Sequence, residues 1–84
     1  MKQKQQERIT RATQFDGKNL QDIFDIPCVV SIHKWPELHA TIFDEEMTRH
    51  LRAYVGDWIC QIERGDIAYW TVLVNEVYQM KQHP

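Results

Sequence analysis

The chain has one serine, three glycines and two cysteines in 84 residues, and each shortage removes a class of function. Ser31, the only serine, is not flanked by glycines, so no Gly-x-Ser-x-Gly nucleophile elbow is present. Gly17, Gly56 and Gly65 are too far apart to form either of the Gly-rich phosphate loops. No Cys-x-x-Cys or His-x-x-x-His spacing occurs, so a four-ligand zinc site has no signature here. Cys28 and Cys60 lie in apolar runs, which reads as two small buried hydrophobes with inert thiols rather than a disulfide framework. No apolar run approaches the ~18 residues of a membrane span. The opening Met-Lys-Gln-Lys-Gln-Gln also lacks the apolar segment of a signal peptide, so the expected location is cytoplasmic, with no membrane partner.

What is present suits one small domain. The apolar fraction of 43% and the nine aromatic residues supply the contact area that a short chain needs for a core. The net charge of −2 is uneven: residues 1–11 carry four cations against one carboxylate, a net of +3, which leaves −5 on residues 12–84. An acidic body argues against a duplex-binding face, because sequence-independent affinity for DNA comes from many Lys and Arg contacts to phosphate. Nucleic acid is therefore the least expected partner, and a basic arm over residues 1–8 is the route such binding would take.

A domain over residues 9–80 is organised around the stretch from Tyr54 to Val74. Two β-branched and aromatic runs, Trp58 to Ile62 and Ile67 to Val74, flank a polar break and predict a hairpin. A three-residue loop at Arg64 to Asp66 would pair Ile62 with Ala68, Cys60 with Trp70 and Trp58 with Val72, collecting six apolar side chains on one face. A tighter loop would set Ile62 against Ile67. Upstream, Ile9 to Phe15 alternates as a first strand, and Asp16-Gly17 ends it. Asn19 has the character of a helix N-cap, with Leu20, Ile23 and Phe24 at helical spacing, and Pro27 stops the helix near Asp25. A second hairpin joins Cys28–His33 to His39–Phe43, with His33 opposite His39, Ile32 opposite Ala40 and Val30 opposite Ile42. That register puts Trp35 at the loop tip. Asp44-Glu45-Glu46 is an acidic turn leading towards a helical turn near Arg49, and Leu51, Ala53 and Val55 share one side of the next strand. The expected fold is α+β: a small, mostly antiparallel, bent sheet of five or six strands, with one short helix near 19–25 and another near 73–80, before a tail at 81–84.

Two short steps in this chain, Ala12-Thr13-Gln14-Phe15 with Gly17 and Asn19, and Gly56-Asp57-Trp58-Ile59 with Gly65 and Tyr78, resemble a group of small, largely uncharacterised phage and prophage proteins. Beyond Gly65 the aromatic, Cys and Phe positions of that pattern are out of step here. The resemblance implies a fold and a phage context, with the host cytoplasm as location, and brings no catalytic residue.

His33 and His39 on neighbouring strands could place two nitrogens together, but solvated histidines fit the missing ligand signatures better. Most carboxylates fall in turns or at helix ends, where Asp has structural work, and Asp57 reads as a turn residue accepting backbone amides. No constellation names a reaction or a cofactor. The binding candidates are Trp35, the acidic Asp44, Glu45 and Glu46, and an outward face of the last hairpin carrying Ile59, Ile67 and Tyr69, since aromatic and aliphatic groups left outside a core anchor interfaces. The leading expectation is an accessory protein that binds a host protein, or itself, through an aromatic and acidic surface. In one version its carboxylates compete for a nucleic-acid-binding groove. A small nucleotide-like ligand held by aromatics with Arg49, Arg52 or Arg64 is the alternative.

Overall fold

A computed structural model describes residues 6–82, with the order β1 (Glu7–Gln14), α1 (Leu20–Phe24), β2 (Val29–His33), β3 (His39–Asp44), β4 (Arg49–Tyr54), β5 (Trp58–Arg64), β6 (Ile67–Leu73) and α2 (Asn75–Gln82). Glu7 and Arg8 belong to β1, and residues 1–5 of the expected arm lie outside the described residues. Six antiparallel strands and two short helices make a mostly β structure. Where one bent sheet was expected there are two, ordered β1-β5-β6 and β2-β3-β4. No helix is long and apolar enough to cross a membrane among the described residues.

The break between the sheets lies at Val55-Gly56-Asp57. Gly56, at φ 100°, takes a left-handed conformation that costs glycine little, and the chain changes sheet within three residues. Val55 is consequently exposed in the turn instead of sharing the inward side with Leu51 and Ala53. This crossing is tied to the other one, the segment that leaves β1 for α1. Phe15 N–H donates to the Asp57 carbonyl at 2.9 Å, and Gly56 N–H donates to the Phe15 carbonyl at 2.7 Å. The Gln14 amide donates to the Gly56 carbonyl, and the Asp57 carboxylate accepts the Tyr54 N–H at 2.9 Å. Asn19 does not cap α1 with its side chain. Its amide spans the turn, donating to the Gln14 carbonyl and accepting the Asp16 N–H, while Asp16 accepts the N–H groups of Lys18 and Asn19.

The core lies between the sheets and is built from Phe15, Ile23, Val29, Ile42, Ala53 and Ile59 with smaller neighbours. Two registers differ from expectation. In β2–β3, His33 faces His39 and Ile32 faces Ala40, but a bulge sets Val29 opposite Ile42 and turns Val30 outward. The extra residue lets Cys28 and Val29 both be buried. In β5–β6 the loop is Gly65-Asp66, with Arg64 opposite Ile67, Ile62 opposite Tyr69, Cys60 opposite Thr71 and Ile59 opposite Val72. Gly65 at φ 60° suits the first central position of a tight hairpin turn, whose twist matches the strands. Ile59, wholly buried, therefore faces the core, and Cys60 and Ile62 lie on the opposite face.

That opposite face is covered too. Tyr78 of α2 stacks on Trp58 at 3.8 Å, and the Trp58 indole N–H donates to Asn75 at 2.9 Å. At the far end Lys81 and Gln82 approach Ile9 and Ile62. Tyr69 reaches across β5 to give its hydroxyl hydrogen to Glu7 on β1, which helps bury Ile62.

Asp44 clamps the sheets together. Its side chain is 1% exposed, accepts the Trp70 N–H of β6 at 3.2 Å and pairs with the Arg49 guanidinium at 3.2 Å. The segment after it is a four-residue turn, Glu45–Thr48, instead of a helical start. Thr48 sits at φ 51°, a conformation disfavoured for a β-branched residue.

Asp44→Ala should lower stability by about 2–4 kcal/mol in urea denaturation, because a part-buried N–H and a cation both lose their acceptor. Thr48→Gly should raise it by about 0.5–1 kcal/mol, by removing a left-handed β-branched residue.

Candidate functional site

The alternation of β2, β3 and β4 sends Ala40, Ile42, Ala53 and Leu51 to the core and eight other side chains outward, beside Val30, which the β2 bulge exposes. The outward set is Ser31 and His33 on β2, His39, Thr41 and Phe43 on β3, and His50, Arg52 and Tyr54 on β4. Both helices are engaged elsewhere: Ile23 of α1 is in the intersheet core, and α2 stacks on β5.

Rings cross this face in two rungs. In the first, His33 stacks on His39 at 5.1 Å and His39 meets Tyr54 at 5.6 Å. His39 is thereby buried, and its Nδ1 donates to the Glu37 carbonyl at 2.7 Å. His33 Nε2 and the Ser31 hydroxyl are 2.8 Å apart. In the second rung Phe43 meets His50 at 4.8 Å. Between the rungs lies the Thr41–Arg52 pair. Arg52 is exposed and has no ion-pair partner among the described residues. Trp35 stands beyond the first rung in the β2–β3 loop, 83% exposed, followed by a cis bond to Pro36.

The other binding candidates do not converge on one surface. Trp35 and the Glu45–Glu46 turn are at opposite ends of β3. Asp44 is a buried clamp, and Ile59 is in the core, so neither is available to a partner. Ile67 is exposed beside the β5–β6 loop, and Tyr69 is half-buried with its hydroxyl engaged by Glu7. A cleft of about 270 Å³ is lined by Glu45, Glu46, Phe43 and Trp70 among others. The Arg11 guanidinium lies 5.5 Å from the Trp70 ring centre.

His33 and His39 are adjacent, as their pairing implies, yet no group of three or more His, Cys, Asp or Glu is placed to hold a metal among the described residues. Both thiols are buried and free. Burial pushes Cys28 up to about 12 and Cys60 up to about 11. Burial, and then the Glu7 carboxylate bonded to its hydroxyl, also raise Tyr69.

Thr41, Phe43, His50 and Tyr54 are not among the site residues expected from sequence, and Arg52 is expected only as one of three arginines that could hold a small ligand, because the β3–β4 pairing does not follow from local pattern. The signal was there: residues 39, 41 and 43 and residues 50, 52 and 54 alternate against inward Ala, Ile and Leu. No protein-family model, curated protein or solved structure matches the chain.

Both cysteines should resist alkylation near pH 8 in the native state and react on unfolding, as thiol counting will show. Stability should fall as pH rises from 9.0 towards about 12, since the unfolded thiols release protons that the folded ones keep.

Proposed function

We propose that this is a phage-type accessory protein that acts by binding, and that its principal contact surface is the open outer face of β2–β4 together with Trp35. The observation that carries the reading is the pair of ring rungs flanking an exposed Arg52 that has no ion-pair partner among the described residues. Aromatic rings and arginine are the side chains that most often anchor contacts between macromolecules. Such a face has ready-made planar surface and needs little ordering on contact, because its rings already hold one another.

A second reading is supported by the cleft between the sheets. Glu45 and Glu46 in a cleft that Trp70 also lines suit a lysine or arginine side chain from a host protein, through ion pairing and cation–π attraction. This keeps the acidic and aromatic character expected from sequence and confines it to one end of β3.

Capture from a bacterial lysate will separate the two, using as bait the native chain, Trp35→Ala with Arg52→Glu, and Glu45→Lys with Glu46→Lys. Protein and nucleic acid are both assayed in the eluates. Loss of the partner in the Trp35/Arg52 variant supports the open face, and loss only in the Glu45/Glu46 variant supports the cleft. A partner retained by both variants would overturn both readings.

A further inference from the structure

We infer that the outer face of β2–β4 takes a short stretch of single-stranded nucleic acid, with Arg52 on a phosphate and bases stacked on the rungs to either side. The inference rests on the reading of this face as the binding surface.

Charge points to an anionic partner. The chain as a whole is at −2, but the eight outward side chains include one arginine and three histidines and no carboxylate. Asp44, next to Phe43, is buried on the other side of β3 and paired with Arg49, and the other nearby acidic groups, Glu37, Glu45–Glu46 and Asp57, are in the loops at the ends of the strands. The loop carboxylates would repel a backbone running past either end, which keeps the track short. Net charge argues against a long duplex footprint, and a few nucleotides over a locally cationic face do not meet that objection.

The rings point to bases. His39 and Phe43 are four residues apart on one strand, so the rungs are separated by roughly 13 Å. Arg52 and the Thr41 hydroxyl lie between them. His39 is buried within its rung, but the exposed rings of His33 and His50 and the half-buried rings of Phe43 and Tyr54, with a cation and hydroxyls interleaved, are of the kind that unstacked bases use in single-strand recognition, and stacking tolerates any base. Val30, turned outward at the β2 bulge, is the single exposed aliphatic side chain of these three strands, whereas the centre of a protein–protein contact is largely apolar. A duplex keeps its bases inside the helix and offers nothing for the rungs to stack on.

The test is fluorescence anisotropy on the full chain with labelled oligo-dT and oligo-U of about ten nucleotides, the length of an ordinary single-strand site. Binding should weaken about 3-fold between ~50 and ~200 mM salt, as one phosphate contact requires. Arg52→Gln should flatten that dependence. Phe43→Ala should weaken binding about 5- to 100-fold, the loss of one stacked base. Because Phe43 also walls the cleft, amide shift mapping on the unaltered protein provides a second readout, with perturbations expected at Thr41, His50, Arg52 and Tyr54. Absence of binding at low salt, equal affinity for a duplex, or shifts confined to residues outside β2–β4 would overturn the inference. If no oligonucleotide binds while the Trp35/Arg52 variant still loses a captured protein, the nucleic-acid assignment falls and the binding face stands.

Discussion

The arrangement of the two sheets depends on a backbone knot where the chain crosses between them. One crossing runs from β1 into α1, the other from β4 into β5, and Phe15 exchanges hydrogen bonds with Gly56 and Asp57 where they meet. The Phe15 ring, wholly buried, enters the core from the same point. Neither crossing is regular structure, so its polar backbone groups have no ladder partners of their own, and each satisfies the other. The Gln14, Asn19 and Asp57 side chains complete the set.

Two short sequence steps, around Gly17 and around Gly56, fall on this knot. Gln14-Phe15, Gly17 and Asn19 form one side of it, and Gly56-Asp57 the other, with Gly17 approaching Val55 between them. Steps of that kind specify how two segments fit. Their glycines and amides answer a conformational need.

Much of the fold was legible because inward and outward positions alternate in most strands. The β2–β3 pairing at Ile32 and His33, the short helix before Pro27 and the exposed Trp35 all follow from local pattern. The last hairpin did not, since its register was judged by gathering apolar residues on one face. β5 is central and covered on both faces, by the second sheet at Ile59 and by α2 and Tyr69 at Cys60 and Ile62, so segregation by face had no force there. Glycine geometry at the turn decided it. The candidate site was harder to read, because it depends on side chains from three strands whose β3–β4 pairing is set by an irregular four-residue turn. Asp44 shows the same limit: next to Glu45 and Glu46 it reads as surface charge, and only the approach of β6 makes it a buried clamp.

The clamp also has a bearing on assembly. β6 is an outer strand, and the amide of Trp70 points away from β5, where another strand could dock. The Asp44 carboxylate already occupies that amide, and it brings a negative charge into the path of any incoming backbone carbonyl. On the opposite margin, the bulge at Thr10 breaks the even spacing of β1. Exposed margins of this kind are templates for edge-to-edge polymerisation, and irregularities and inward-turned charges are how natural sheets discourage it. The group that holds the two sheets together thus also obstructs the addition of a strand at that margin.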